Sequence, residues 1–506
     1  MVAARLAGAQ PIRMNSPDTQ SLDRPMPLRL ALLMSVPGFL ALVVYWPTLQ
    51  YGFVFDDLSL ISDDGPVRLG TTWMAYRPLR HVSYLLDYSL GGGGPWMYHL
   101  SNLALHGANG VLVTMLVVRL GAGLGAAIAG GMLFVSHPLG AEAAAYVAGR
   151  RDLLALFFSL SGILLWTSAR SRPWRGALAL LVIVAATLSK ETGLVTVALC
   201  AIASLCGFGP RLAAAAAPLL VTMGVSVSAV LLYGAVGPWL VTSDPVALTR
   251  IAGSLSAHYA ASLVIPVRLA IEYPELVCSG IECANLAGLS ARLGIALLVA
   301  LVTVSVALLV GTRGGRAIAR GTAFATSCVA VLFVTLAFSV GAHEPGADRH
   351  AYPLVALFSV ALALVCDEWF STSHGGITRR VALTAALIIV AMGVRVTEAR
   401  ITVWESPWTL WGSAVGRAHV SARAHHNLGR LLAGEGAYRH ARRHFRAALR
   451  MDHAFSPSMV ALAAIECERG RYRRALHGFN KARASGAVDA DLAPVEQACV
   501  SQRNAG

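Results

Sequence analysis

The chain is poor in charge, because only 13% of its 506 residues are Asp, Glu, Lys or Arg while 56% are hydrophobic. This composition excludes an ordinary soluble multidomain protein and indicates a polytopic membrane protein. Acids are the scarcer charges, 27 against 41 basic residues. The resulting charge of +14 does not indicate a nucleic-acid partner. Its arginines collect in short clusters between apolar runs, as they do in the cytoplasmic loops of membrane proteins.

Common catalytic and metal motifs are also lacking. No P-loop, G-x-G-x-x-G, G-x-S-x-G or H-E-x-x-H pattern occurs, so nucleotide hydrolysis and serine-type catalysis are unsupported. The eight cysteines show no C-x-x-C or zinc spacing. Cys278 and Cys283 could pair if their loop faces an oxidising compartment. Four others lie in apolar runs and are typical of small core residues: Cys200, Cys206, Cys328 and Cys366.

Apolar runs with charged stops predict an all-α membrane domain over residues 28–398. We expect residues 1–27 to be a disordered cytoplasmic tail, followed by a signal anchor that is retained. Alternation from a cytoplasmic N-terminus predicts eleven spans and places the arginine clusters inside. It leaves outside everything after about residue 398 and the segments 50–98, 138–152, 234–291 and 342–350. Within the third, a semi-apolar stretch at 259–274 favours a re-entrant or interfacial helix.

The C-terminal part contains a repeat. Six residues recur after 34 positions: Leu428, Gly436, Tyr438, Ala441, Phe445 and Ala448 return as Leu462, Gly470, Tyr472, Ala475, Phe479 and Ala482. This period, with small residues where helices pack, is typical of tetratricopeptide repeats. It predicts a linker at 399–421, two repeats at 422–486 and a tail at 487–506. Such repeats present a concave face to peptides, although a structural cap is the alternative.

A polar stripe follows one predicted membrane helix. His99, Asn102, His106 and Asn109 occur at spacings of three and four, which places them on one helix face. Polar groups in membrane helices usually face a cavity or a partner helix. The stripe therefore predicts cavity-lining residues, with hydrogen bonding between helices as the alternative.

Charged residues gather in the segments predicted to lie outside. The first, "YGFVFDDLSLI", holds Asp56 and Asp57, and a later turn holds Arg77. Each group by itself could be ordinary solvated charge. Four groups on one side suggest a largely cationic cavity with acids opposite. The other members are His137, Glu142, Arg150, Arg151 and Asp152, then Lys190 and Glu191, then His343, Glu344, Asp348, Arg349 and His350.

Several of these segments, in order, carry a resemblance: "FDD", "YRPL", "YHLSNLALHGAN", "HPLGAEAAAYVAGRRDLLA", "LSKETGLVTV" and "DRHAYP", followed by the repeats. The chain resembles the transmembrane-and-tetratricopeptide-repeat O-mannosyltransferases and their prokaryotic relatives, which belong to the C-type glycosyltransferase superfamily. The resemblance implies the fold of that superfamily. It also implies transfer of a mannose-like sugar from a polyprenyl-phosphate donor to an acceptor hydroxyl outside the cytoplasmic membrane.

An acceptor hydroxyl needs a base, because it is a poor nucleophile near neutral pH. We expect Asp56 to be that base, since it is the first acid after the first span. Asp57 could orient Asp56, bind the sugar or hold a divalent cation; no cofactor is otherwise indicated. The alternative role for both acids is capping of the next helix.

The leaving lipid phosphate gains negative charge, which cationic side chains would stabilise. The expected phosphate-binding residues are Arg349, Arg150, Lys190, Arg77 and His137, and the cavity would be lined by His99, Asn102, His106 and Glu142. A base on one face of the sugar and a phosphate site on the other imply displacement with inversion.

The acceptor is expected to be Ser or Thr of an exported protein, with membrane lipid around the domain and a peptide or protein on the repeats. A transferase or ligase acting on an envelope polysaccharide or lipid is the nearest alternative. A transporter, or a membrane-anchored scaffold without transferase activity, is the alternative of another class. The expected location is the inner membrane, with the repeats on the periplasmic side.

Overall fold

A computed structural model describes residues 28–61, 77–232, 245–267, 269–271, 273, 317–339, 347–372, 376–416 and 421–505. Every regular element in these ranges is helical, which agrees with the predicted all-α class. Four expectations fall outside the described residues: the tail at 1–27, the Cys278–Cys283 pair, the apolar run at 292–311, and His343 with Glu344.

The α-helices are numbered here in chain order. The first part contains α1 Leu28–Met34, α2 Val36–Tyr45, α3 Asp56–Ile61, α4 Pro78–Gly91, α5 Pro95–Arg119, α6 Leu124–Ser136, α7 Ala141–Ala145, α8 Arg150–Thr167, α9 Pro173–Ser189, α10 Val195–Leu205 and α11 Leu212–Leu232. The second contains α12 Pro245–Val264, α13 Ala317–Ser339, α14 Tyr352–Thr372, α15 Gly376–Ile401, α16 Pro407–Val415, α17 Ala422–Gly434, α18 Tyr438–Met451, α19 Ser456–Glu468, α20 Tyr472–Ala484 and α21 Asp489–Ala505. Short 3-10 turns lie at Trp46–Gln50, Pro138–Gly140, Val147–Gly149, Glu191–Leu194, Asp348–Ala351 and Thr402–Trp404.

Five helical segments of the described chain are long and apolar enough to cross a membrane: Leu28–Gln50, Pro95–Arg119, Leu212–Leu231, Asp348–Phe370 and Arg380–Trp404. A sixth arises if α6 and the bent segment Pro138–Ala145 form one span. Shorter apolar helices occupy Pro173–Ser189, Glu191–Leu205 and Ala319–Leu332. The expected number of eleven spans therefore stays a prediction, whereas a multi-pass arrangement is clear from these helices.

Helix α5 lies at the centre of the membrane part, where it packs against α2, α6, α8 and α14. Its apolar face, including Val113, Leu116 and Val117, is fully buried. Small residues allow the close contacts: a Cβ on Gly131 of α6 would lie 2.2 Å from the hydroxyl oxygen of Thr114. Close approach through glycine is a common means of helix association in membranes.

The C-terminal helices form two hairpins, α17 with α18 and α19 with α20. Ala441, Phe445 and Ala448 are buried in the first hairpin. Their counterparts 34 positions later in the second are buried as well: Ala475, Phe479 and Ala482. The repeating residues of the sequence thus occupy repeating packing positions.

Two segments expected to be connections have regular structure. The predicted linker at 399–421 holds the end of α15, a 3-10 turn and α16. Ser406 caps α16, because its side chain accepts from the backbone N–H of Thr409, and Pro407 occupies the first turn. The predicted tail at 487–506 contains α21, which packs against α19 and α20. A disulfide between Cys467 and Cys499, 32 residues apart, fastens α21 to α19.

Loss of this disulfide should loosen α21. Closing a loop of this length contributes about 3–4 kcal/mol by chain entropy, so Cys467→Ser should release α21 to proteases at a lower temperature than in the parent. The measurement is trypsin digestion of the full-length protein across a temperature series. Cys366→Ser, at a free cysteine, is the control. Labelling of Cys467 and Cys499 by a maleimide without prior reduction would contradict the bond.

Candidate active site

The acid pair lies where the chain leaves its first apolar segment. Asp57 is completely buried, and its carboxylate accepts hydrogen bonds from the backbone N–H of Val54 at 3.1 Å and of Ala148 at 2.8 Å. Burial raises the pKa of Asp57 to about 8, although these N–H donors lower it in part. Asp57 therefore ties the loop before α3 to the Val147–Gly149 turn.

Asp56 has a different environment. It is half-buried, and its backbone N–H donates to the hydroxyl of Tyr146 at 3.2 Å. Within the described residues, the carboxylate of Asp56 has no ion pair or side-chain hydrogen bond. The two acids thus differ in their environments. Backbone N–H donors fix Asp57, whereas the Asp56 carboxylate could accept a hydrogen bond from a ligand.

Phe55 introduces backbone strain directly before Asp56. Its φ is +52°, a left-handed conformation that is unusual for a bulky residue. Such a conformation costs about 1–3 kcal/mol and persists only when its surroundings fix it. The Phe55 ring stacks on Tyr146 at 6.1 Å between centroids and meets the edge of Trp411 at 5.4 Å. Tyr146 in turn stacks on Trp404 at 4.8 Å.

Four of the expected cationic residues, together with Arg400, are buried in ion pairs. Each pair joins segments far apart in the chain, and each cation is at most 8% exposed. The pairs are Arg77–Glu191 at 2.9 Å, Arg150–Asp87 at 2.7 Å, Lys190–Asp152 at 2.5 Å, Arg349–Glu142 at 2.6 Å and Arg400–Asp348 at 2.9 Å.

Arg150 occupies the most enclosed of these positions. Besides Asp87, its guanidinium donates to the side-chain oxygen of Asn102, to the backbone oxygen of Tyr98 at 2.7 Å and to Ser83 at 3.2 Å. These contacts hold α4, α5 and α8 together. Arg150 therefore has a structural role in joining these three helices.

Arg151, the next residue, forms an ion pair at 3.6 Å with Asp152, which lines the groove. The charges of Arg349, Lys190, Arg151 and Arg77 all act on the ring of His350. Burial lowers the pKa of Lys190, whereas Asp152 and Glu191 raise it. Four cations thus contribute to the electrostatic potential at His350, and three of them were expected from the sequence to bind phosphate.

An apolar groove begins at this cluster. Lys190, Asp152 and His350 are among its lining residues, and its walls come from α8, α10, α13 and α14. The wall side chains are Leu156, Leu160, Ile163, Val195, Leu199, Leu332 and Leu357. Gly193 lets the Lys190 turn fold onto α9, because a Cβ there would lie 2.3 Å from the backbone carbon of Ala186.

The polar stripe on α5 mostly bonds to neighbouring helices. Asn102 donates to the backbone oxygens of Ala144 and Tyr146, and Asn109 donates to that of Leu153 and to the Tyr352 hydroxyl. His106 also hydrogen-bonds to the Tyr352 hydroxyl, at 2.8 Å. His99 is buried and meets the ring of Tyr51 edge-on. The stripe thus contributes interhelical hydrogen bonds, the alternative that its spacing allowed.

His137 is engaged at both ring nitrogens. It accepts from the backbone N–H of Leu139 and bonds to the backbone oxygen of Leu263 in α12. It thereby fixes α12, whose last residues, 259–264, begin the semi-apolar stretch expected to be re-entrant or interfacial. Glu142 accepts from the Arg349 guanidinium and also from the Arg349 backbone N–H at 3.1 Å.

No three His, Cys, Asp or Glu side chains in the described part of the chain come together as a metal site. Both carboxylate oxygens of Asp57 already accept hydrogen bonds from backbone N–H groups. A divalent cation at Asp57 therefore stays a prediction without an additional ligand among these residues.

Sequence reasoning missed several members of this site. Arg400 pairs with Asp348, and Tyr273 donates to the same carboxylate. Tyr146 and Trp411 contact Phe55, and Trp404 stacks on Tyr146. No local spacing identifies these residues, since their contacts join segments that are far apart in the chain. The "DRHAYP" segment and the adjacent charged end of α15 were the available signals for Asp348 and Arg400.

Comparisons with known proteins agree with the geometry at the level of the family. The chain is 35% identical over 191 residues to Protein O-mannosyl-transferase Tmtc2 of Drosophila melanogaster, covering 32% of this chain and 20% of that protein. It is 31% identical over 182 residues to human Protein O-mannosyl-transferase TMTC3, covering 31% and 20%. Protein O-mannosyl-transferase F38B6.6 of Caenorhabditis elegans is 23% identical over 451 residues, 82% of this chain and 62% of that protein.

These matches confirm the resemblance deduced from the motifs: the chain is similar to membrane O-mannosyl-transferases. The aligned part spans about a fifth of the length of the Drosophila and human relatives. No family model matches the chain. No solved structure matches it either.

The Arg150–Asp87 pair offers a test of the architecture. Asp87→Ala should destabilise the protein by about 3–5 kcal/mol, because it leaves the buried Arg150 without its anion. Thermal unfolding in detergent measures the loss. Glu398→Ala, in the exposed Arg395–Glu398 pair, is the matched control and should change nothing measurable. Combining Asp87→Leu with Arg150→Met should recover most of the stability. An unfolding temperature of Asp87→Ala equal to the parental value would show that the pair does not hold these helices.

Proposed function

We propose that this protein is a membrane glycosyltransferase that moves a mannose-like sugar from a polyprenyl-phosphate donor to a hydroxyl of an exported protein, with inversion. The observation that carries the proposal is the half-buried carboxylate of Asp56, which has no ion pair or side-chain hydrogen bond among the described residues, whereas its neighbour Asp57 is fixed by backbone donors. The names of the similar proteins support the reaction class and a protein acceptor.

In the proposed reaction, the acceptor oxygen attacks the anomeric carbon of the donor sugar. Asp56 takes the hydroxyl proton as the new carbon–oxygen bond forms. The bond from the anomeric carbon to the phosphate oxygen breaks on the opposite face, and its electron pair leaves with the lipid phosphate. Direct displacement of this kind inverts the anomeric centre.

The cations around His350 would bind the leaving phosphate. Arg77, Arg151, Lys190 and Arg349 contribute to the potential there, and each has a paired acid among the described residues. Preorganised cations in a site of low dielectric stabilise developing negative charge. Arg151 takes the phosphate-binding role expected of Arg150, which is already surrounded by its own partners.

Tyr146 interacts electrostatically with both the proposed base and the cations. Burial raises the pKa of the Tyr146 hydroxyl well above its ordinary value; Asp57 and Asp56 raise it further, whereas Arg349 and Arg151 lower it. The hydroxyl therefore stays neutral, and both the acids and the cations of the site interact with it electrostatically. A sugar held near Tyr146 would have Asp56 and the phosphate-binding cations within reach.

The apolar groove would hold the beginning of the polyprenyl chain. Its walls are mostly aliphatic and Lys190 is among its lining residues, which is the combination that a phosphate with a hydrocarbon tail requires. Among the described residues, Lys190 donates to Asp152. An ammonium group has three donors, so capacity for a phosphate oxygen is left.

The repeats and the outer location belong to the same proposal. The hairpins α17–α20 would form a short tetratricopeptide unit that meets the acceptor or a partner protein. The Cys467–Cys499 disulfide supports a position on the outer, oxidising side of the inner membrane, because such bonds are rare in the cytosol.

The two acids should respond oppositely to amide substitution. Asp56→Asn keeps shape and fold but cannot accept a proton, so transfer should fall by about 10²–10⁴-fold. Asp57→Asn places an amide NH₂ against one backbone N–H donor, so it should cost about 1–3 kcal/mol of stability and leave part of the activity. Product formation by mass spectrometry and thermal unfolding of the purified protein measure both effects. Full activity in Asp56→Asn would remove Asp56 as the base, and the reverse pattern would exchange the roles.

Narrowing the groove should weaken the binding of long-chain donors more than that of short-chain donors. Leu160→Trp narrows the groove and should raise the KM for a long-chain polyprenyl-phosphate sugar about tenfold or more, while a donor with a very short chain is affected little. Leu181→Trp, on the exposed face of α9, is the control. Equal effects of Leu160→Trp on both donors would place the lipid chain elsewhere.

A further inference from the structure

Asp56 is held by a part of the chain that carries no charged motif. Residues 402–411, which lead from α15 to the first hairpin, contact the Asp56 loop at two points. The backbone N–H of Gly52 donates to the oxygen of Glu405 at 3.1 Å, and the ring of Phe55 meets the edge of Trp411 at 5.4 Å. A further contact is indirect, through Trp404 stacked on Tyr146.

The position of Phe55 gives these contacts a specific consequence. A left-handed φ at a bulky residue has to be maintained by its neighbours, and here those neighbours are Tyr146 on one face and Trp411 at the edge. A relaxed Phe55 would rotate the peptide that follows it. That peptide contains the N–H of Asp56, which donates to Tyr146, so the direction of the Asp56 side chain depends on Phe55 staying in place.

We propose that Trp411 is a positioning residue for Asp56, acting through Phe55, and that α16 connects the C-terminal hairpins to the base. Trp411 is 4% exposed and belongs to the same apolar core as Leu410 and Ala414 of α16. That core continues into the first hairpin through Ala424, with Leu428 packed against it. The inference rests on the proposed function, in which Asp56 is the base.

The experiment is a double-mutant cycle on the Phe55–Trp411 contact in the full-length protein. Trp411→Leu and Phe55→Leu each keep an apolar side chain but remove the ring contact. Each should lower kcat by about ten- to hundredfold, because misplacement of a catalytic group by about 1 Å has an effect of this size. The KM for the donor should stay unchanged, since the groove is not touched. The double variant should lose no more than either single variant, because both remove the same contact.

Two further variants separate positioning from general packing. Trp411→Phe keeps an aromatic edge and should retain most of the turnover. Trp408→Ala changes a tryptophan of the same helix that is 40% exposed and should change neither kcat nor KM. Hydrogen exchange at the amides of residues 53–57 should accelerate in Trp411→Leu and not in Trp408→Ala, and this readout needs no activity.

The outcomes distinguish the two proposals. Parental kcat and unchanged hydrogen exchange in Trp411→Leu would overturn the positioning role, as would fully additive losses in the double variant. An active parent whose Asp56→Asn variant is equally active would overturn the proposed function, while faster exchange at residues 53–57 in Trp411→Leu would still support the contact.

Discussion

Neutralisation of charge away from water is the constraint on which this structure depends. An isolated charge in a low-dielectric interior is very costly unless a counter-ion and hydrogen bonds accompany it. The molecule meets this requirement with ion pairs between distant segments, such as Arg77 with Glu191 and Arg349 with Glu142. Each pair fixes two connecting segments at once, and together they shape one polar end of a helical bundle.

The environment of the Asp56 carboxylate differs from that of the acids in these ion pairs. Where acids are paired or bound by backbone N–H groups, a half-buried carboxylate without such a partner among the described residues is available for chemistry. Its neighbour Asp57 shows the contrast, since two backbone N–H groups hold it in place. One carboxylate of the pair anchors the loop, and the other makes no ion pair among the described residues.

The helical class, the multi-pass arrangement and the packing positions of the repeats could be predicted, because they depend on local composition and on a regular period. The residues that each charged or aromatic side chain contacts could not be predicted. Arg150 and Arg151 are adjacent in the sequence, yet Arg150 is enclosed by Asp87 and Asn102 while Arg151 pairs with Asp152. Likewise, the segment at 399–421 has the length of a linker, and only the three-dimensional packing of Trp404 and Trp411 gives it a role at Phe55. Such contacts depend on tertiary packing, which local patterns do not encode.

The Arg349–Glu142 pair has a consequence for how the protein is made. Its two members are separated by 207 residues, so Glu142 leaves the ribosome long before its counter-ion exists. At about 5–20 residues per second, synthesis of the intervening chain takes roughly 10–40 s. During this interval the α7 segment has to remain at the wet surface of the bilayer or beside the translocation machinery. The polar end of the bundle is therefore completed late in biogenesis, after the helices on both sides have been inserted.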